Sequence, residues 1–154
     1  DPCDFLKAKE MQQKRDSETF KKSQADDLTN MQTGIFGYKG RVHFQTGPCI
    51  NEELEALRGL PKTEVFTQVS TLIDKHIHRN YRLYSGNYVA CDLLNGTETF
   101  AGKYTPEEKK RFEAYLQKKL DLIQLPNKDE DFLRQRILTM YANPAINHLK
   151  AIAQ

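Results

Sequence analysis

The sequence lacks the features that would place it at once in a membrane, nucleic-acid or repeat class. No stretch approaches the roughly 18 consecutive apolar residues of a membrane-spanning helix, so we expect no membrane span. The formal net charge is only +2, which is too small to indicate nucleic acid as the partner. Internal repeats, heptads and glycine- or proline-rich tracts are also absent, which excludes solenoids, coiled coils and flexible linkers.

Motifs for catalysis and for cofactors are absent as well. The sequence has no serine hydrolase, P-loop, EF-hand or HExxH signature. Gly34, Gly37 and Gly40 do not have the spacing of a phosphate-binding loop. His76 and His78 are two residues apart, so on a helix they diverge and do not chelate one metal ion. We therefore expect no metal and no cofactor, and a non-enzymatic protein rather than an enzyme.

The composition that is present predicts a small folded domain with a lean core. The chain has 154 residues, of which 38% are hydrophobic and 29% are charged, and its mean hydropathy is −0.71. This length suits one domain. We predict a single helix-rich domain over residues 1–154, in which residues 1–33 form a polar, loosely packed helical segment, broken near Asp16.

The hydrophobic periodicity predicts a mainly α fold, a small bundle of four to six helices. One helix is predicted to start with Thr105 as its N-cap, Pro106 at its first position and Glu108 completing a capping box. Apolar residues follow at helical spacing. The apolar residues of segment 63–84 share one face, which predicts a core helix. Asn143 and Pro144 are predicted to end one helix and to start another.

Two segments allow more than one structure. Glycines near residues 35–45 favour one short β-hairpin. A helical bundle can form with this hairpin or without it. Residues 88–94 fit a helix capped by Gly96 and equally the first strand of an Asn-Gly hairpin.

The three cysteines, Cys3, Cys49 and Cys91, have no metal-binding spacing. We expect a Cys49–Cys91 disulfide. Its loop of about 43 residues would stabilise a lean domain by roughly 3–4 kcal/mol. The alternative is three reduced thiols, two of them packed as small apolar side chains.

Asn95 begins an Asn-Gly-Thr sequence, which is a formal N-glycosylation acceptor and equally a common turn sequence. The first residues, Asp1-Pro2-Cys3, resemble the start of a cleaved precursor, although a trimmed chain would begin in the same way. Together with the cysteines, these features predict an extracytoplasmic protein, secreted or periplasmic, rather than a cytosolic one.

Residues 75–84 hold the densest group of candidate functional side chains. His76 is predicted to lie on the apolar face of its helix, where it either supports the core or acts as a general base in a pocket. His43 is the second imidazole that a two-histidine ribonuclease would need. Lys75, Arg79 and Arg82 would then hold the phosphates. A small secreted ribonuclease or toxin domain is therefore one alternative function.

The leading expectation is a secreted or periplasmic binding protein that acts through a protein–protein interface, such as an inhibitor, an immunity-type protein or a host- or surface-interaction factor. Tyrosine and arginine side chains are common at such interfaces. The candidate binding residues are Tyr38, Arg79, Tyr81, Arg82, Tyr84 and Tyr88. A second alternative is a carrier that holds an apolar ligand in a cavity between helices.

Overall fold

A computed structural model describes residues 1–153 of the chain. These residues form seven α-helices, one short 3-10 helix and no β-strand. The mainly α fold is therefore confirmed, and a helical bundle fits it, with seven helices where four to six were predicted. The helices are α1 (Asp4–Asp16), α2 (Gln24–Phe36), α3 (Asn51–Ala56), α4 (Lys62–Arg79), α5 (Ser85–Asn95), α6 (Pro106–Asp121) and α7 (Glu130–Ile152), and the 3-10 helix is Ala101–Lys103.

Helices α1, α5, α6 and α7 enclose the hydrophobic core. The predicted capping box starts α6: the Thr105 hydroxyl accepts a hydrogen bond from the Glu108 amide at 3.2 Å, and the Glu108 carboxylate accepts one from the Thr105 amide at 2.9 Å. Apolar residues at helical spacing along α6 are then buried: Phe112, Leu116 and Leu120. They pack with apolar residues of α5 and α7 such as Val89 and Ile137.

The prediction that Pro144 separates two helices is wrong. Helix α7 continues through Pro144 from Glu130 to Ile152. A proline inside a helix removes one backbone hydrogen bond at a cost of about 3 kcal/mol. Ala142 and Ala145, on either side of the proline, are both fully buried, and this packing offsets the cost.

Helix α1, the first part of the segment predicted to pack loosely (residues 1–33), is held by buried polar groups, whereas α2 has no buried residue. Asp4 is 2% exposed. Its carboxylate accepts hydrogen bonds from the Tyr115 and Tyr141 hydroxyls at 2.6 and 2.7 Å and pairs with Lys119 at 3.0 Å. Burial, with the Asp4 hydrogen bonds, raises the pKa of both tyrosines above their usual value. These contacts tie α1 to α6 and α7.

The segment from α2 to α4 lies largely outside the core. Helix α2 has no buried residue. Residues 37–50, which we call the strap, have no regular secondary structure, so the short hairpin near residues 35–45 is not seen in the described part of the chain. One reason is that α2 extends through Ile35 and Phe36, which removes the residues of a first strand.

Helix α4 forms where the periodicity predicts a helix, but it is not the core helix that we expected. It packs mainly against α7 and has no buried residue. Ile73 and Ile77, on its apolar face, are 42% and 47% exposed. An amphipathic pattern indicates that a helix has an apolar face, but it does not indicate which element covers that face.

Candidate functional site

The strap lies against residues 80–87, which we call the junction: they comprise the connection between α4 and α5 (80–84) and the first residues of α5 (85–87). The Arg41 guanidinium lies 4.4 Å from the centre of the Tyr84 ring, a cation–π contact that links the strap to the junction. Asn87 fixes the junction to the core, because its side chain accepts from the Tyr84 amide at 2.9 Å and donates to the Tyr141 carbonyl at 2.8 Å. The strap therefore borders a surface that hydrogen bonds hold to the core.

One cleft at the junction, which we call the histidine cleft, contains both candidate catalytic histidines. It has a volume of about 500 Å³, and it is lined by His43, Gln45 and Gly47 of the strap, His76 and Ile77 of α4, Asn80, Tyr81, Arg82, Tyr84 and Asn87 around the junction, and Pro144 of α7. The Nε2 atom of His76 is shielded from solvent and has no hydrogen-bond partner within residues 1–153. Buried polar atoms are normally paired, so a molecule in the cleft could pair with this nitrogen after a small movement of the groups that shield it.

A second cleft, the tyrosine cleft, lies on the other side of Tyr84. Its volume is about 540 Å³. Tyr38 and Arg41 line it from the strap, and Tyr84, Tyr141 and Arg111 line it from the bundle. Both clefts are open to solvent, and both use the strap as one wall. Neither is an enclosed cavity between core helices, so nothing in them favours the apolar-ligand carrier.

The clefts bring together four of the six candidate binding residues. Tyr81 and Arg82 line the histidine cleft, Tyr38 lines the tyrosine cleft, and Tyr84 lines both. The other two lie elsewhere. The Arg79 guanidinium donates to the Ala151 carbonyl at 3.1 Å, and the Tyr88 ring packs on Phe100 with its centre 5.5 Å away.

The residues of the ribonuclease alternative are only partly assembled. His43, His76 and Arg82 share the histidine cleft. Lys75 lines a different cleft, together with His78 and Lys150, and the Arg79 guanidinium is directed to the end of α7. One of the three proposed phosphate ligands therefore accompanies the two imidazoles.

Exposed large apolar side chains concentrate in α2, the strap and α4, a feature that the sequence analysis missed. Phe36 and Phe44 are 83% and 90% exposed, and Phe66 is 60% exposed. The complete set in these elements is Leu28, Met31, Ile35, Phe36, Tyr38, Val42, Phe44, Phe66, Ile73 and Ile77. The amphipathic pattern of α4 could have indicated this exposed surface, but we interpreted its apolar face as part of the core.

Positive charge accompanies these apolar side chains near the junction. The strap and residues 75–82 contain no aspartate or glutamate. Their cationic side chains are Lys39, Arg41, Lys75, Arg79 and Arg82. Lys39, Arg41 and Arg82 lie at the two clefts around the junction, whereas Lys75 and Arg79 face other surfaces.

The expected Cys49–Cys91 disulfide is not formed, and the structure leaves Cys3, Cys49 and Cys91 as free thiols. Cys49 is exposed at the end of the strap, whereas Cys91 is buried in α5 with its Sγ 3.5 Å from the Ala142 carbonyl oxygen. Burial raises the pKa of the Cys91 thiol, and the neighbouring Asp92 charge adds to this effect. Cys91 is thus a core side chain.

The Asn95 acceptor sequence forms the end of α5, which resolves the ambiguity of residues 88–94 in favour of a helix. Gly96 adopts the left-handed conformation, with φ of 63°, that commonly ends helices. The exposed Asn95 side chain donates to the Cys91 carbonyl at 2.9 Å, and the Thr97 hydroxyl donates to buried Asp92 at 2.9 Å. The sequence thus has a structural role as a helix end.

Other observations that would assign a functional class are not found. Comparisons with protein-family models, with curated proteins and with solved structures gave no match. Within residues 1–153, no helix is both long and apolar enough to cross a membrane. The same residues contain no group of three His, Cys, Asp or Glu side chains arranged to hold a metal ion.

Proposed function

We propose that the protein is a non-enzymatic binding protein whose strap and α4 bind an apolar, acid-bordered surface of another protein. The observation that carries this proposal is the exposure of large apolar side chains on these two elements. Phe44 is 90% exposed and Phe66 is 60% exposed. Concentrated apolar exposure on a folded chain usually marks an interaction surface.

The charge of the same elements supports a partner with acidic groups. Lys39 and Arg41 of the strap and Arg82 of the junction form no ion pair in residues 1–153, although the Glu108 carboxylate lines the same cleft as Lys39 and Arg41. Complementary charge at the rim of an interface increases association rates and selects the partner. Arginine and tyrosine, which meet at Arg41 and Tyr84, are also frequent at the residues that dominate binding energy.

We also propose that the protein acts outside the cytoplasm, as an inhibitor, an immunity-type protein or a host- or surface-interaction factor. The exposed Asn95 acceptor sequence supports this location. The free thiols do not support it. A mass decrease of the native protein after glycosidase treatment would test the Asn95 part of the proposal directly.

The binding proposal can be tested by affinity capture from the native environment with matched variants. The test variant combines Phe44→Ser and Phe66→Ser, and the control is Leu122→Ser, which alters a side chain that is 53% exposed at the end of α6. We expect one partner protein to be captured by the native chain and the control, and to be recovered at a level about tenfold lower or less with the test variant.

Two results would overturn this proposal. One is equal recovery of every captured protein by the native chain and the test variant. The other is capture of a second copy of this chain alone, since the exposed residues would then form a homodimer interface. Light scattering of the purified protein identifies the second case, because a homodimer has twice the monomer mass.

A further inference from the structure

We propose that the histidine cleft binds a small phosphorylated ligand with an aromatic base, of the nucleoside monophosphate class. This activity is separate from the proposed protein binding, because it rests on the lining of a cleft and not on exposed apolar side chains. Four observations lead to it: the charge of the lining, the unpartnered histidine nitrogen, the aromatic side chains and the size of the cleft.

The lining of the histidine cleft is rich in donors and lacks carboxylates. Its one permanently charged side chain is Arg82. The amide groups of Gln45, Asn80 and Asn87 also line it, each with one N–H already donated to a carbonyl of the chain. Arg82 takes part in none of the ion pairs of residues 1–153, so its guanidinium is free to pair with an anion. A guanidinium can bind a phosphate through two parallel hydrogen bonds.

His43 and His76 add two imidazoles from different elements. His76 Nε2 is shielded and unpaired, so a ligand that displaces the groups shielding it would gain a hydrogen bond that breaks no existing one. His43 lies on the strap, and His76 lies on α4. A ligand that contacts both histidines would therefore join the strap to α4.

Aromatic side chains and volume favour a base attached to the phosphate over a bare anion. Tyr81 and Tyr84 both line the cleft, and aromatic rings are the usual contact for a nucleobase. The volume of about 500 Å³ falls in the range of roughly 300–1,000 Å³ typical of small-molecule sites. It exceeds what an inorganic phosphate would fill.

Calorimetric titration of the purified full chain with adenosine monophosphate, adenosine and inorganic phosphate tests the proposal. We expect adenosine monophosphate to bind more tightly than either fragment, because each fragment uses half of the site. Arg82→Gln and His43→Ala should each weaken its binding by about tenfold. Lys110→Gln, which removes an exposed positive charge from α6 outside the cleft, should leave binding unchanged.

A second readout separates direct contact from a general structural effect. In nuclear magnetic resonance spectra, adenosine monophosphate should shift the ring signals of His43 and His76. The signal of His148 should stay in place, because this ring does not line the cleft and its Nδ1 atom is hydrogen-bonded to the His78 carbonyl at 2.9 Å. Each variant should keep the circular dichroism spectrum of the native chain.

The following results would overturn the proposal: no binding of adenosine monophosphate up to 1 mM ligand, equal binding of adenosine or of phosphate, or an equal loss with Lys110→Gln. These results are independent of the protein-binding proposal. The variant Phe66→Ser lies outside the cleft and should bind adenosine monophosphate normally even where it loses the partner protein.

Discussion

The buried carboxylate of Asp92 gives the clearest quantitative prediction. Asp92 is 2% exposed, and it accepts hydrogen bonds from the Thr97 hydroxyl at 2.9 Å, the Phe100 amide at 3.0 Å and the Tyr104 hydroxyl at 2.8 Å. These bonds connect the end of α5 to the 3-10 helix and the start of α6. Asp92→Ala leaves three donors without their acceptor.

The expected loss for Asp92→Ala follows from those three bonds. Each hydrogen bond to a charged group contributes about 1.5–3 kcal/mol, and partial rehydration of the freed donors reduces the sum. We therefore expect the free energy of unfolding to fall by about 3–5 kcal/mol, and by about 1–2 kcal/mol in the milder variants Thr97→Val and Tyr104→Phe.

Urea unfolding followed by circular dichroism measures these differences. The double variant Asp92→Ala/Tyr104→Phe should lose less than the sum of its single variants, because both remove the same bond. A loss below about 1 kcal/mol for Asp92→Ala, or strict additivity in the double variant, would refute the assignment of this carboxylate as a buried structural acceptor.

Three further predictions concern the thiols, the helix surfaces and the alkaline limit of stability. Cys49 should react with iodoacetamide in the native protein and Cys91 only after unfolding, as read by mass spectrometry; a native mass two units lower that rises on reduction would contradict the free thiols. Leu116→Ala should lower the free energy of unfolding by about 2–5 kcal/mol and Phe66→Ala by less than about 1 kcal/mol; equal losses in urea unfolding would contradict the exposure of α4. Burial and the Asp92 hydrogen bond raise the pKa of Tyr104 to about 12, so its contribution to the free energy of unfolding is complete below about pH 10 and is lost as the pH rises toward 12. Tyr104→Phe should make the free energy of unfolding fall less steeply over this pH range, and an unchanged pH dependence would contradict the assignment.

The sequence predicted the local features of the fold well. The Thr105–Glu108 capping box and the buried positions of α6 follow from residue types at fixed short spacings, and both are present. Such features depend on neighbours within four residues, so they can be read without knowing the rest of the molecule.

Features that depend on distant contacts were predicted poorly. The apolar face of α4 looked like a core face, yet Ile73 and Ile77 remain substantially exposed, because the core is already filled by other helices. Pro144 looked like a helix boundary, but the buried alanines beside it keep α7 continuous.

The sequence predicted the candidate site in part. The sequence singled out His43 and His76 as a pair, and the structure places both on one cleft. It also grouped Lys75 and Arg79 with them by proximity in sequence, whereas the helical rotation of α4 directs these two side chains to other surfaces. Sequence neighbours on a helix do not share a site unless their spacing places them on one face.

The most direct test of the central claim is photo-crosslinking from position 66 on α4. A benzophenone amino acid placed there, in the native environment, should form one crosslinked product with a partner protein of different mass from this chain. The same group at position 122, where the native side chain is 53% exposed at the end of α6, should give no such product. Identical products from both positions, or none from position 66, would contradict a binding function for α4 and the strap.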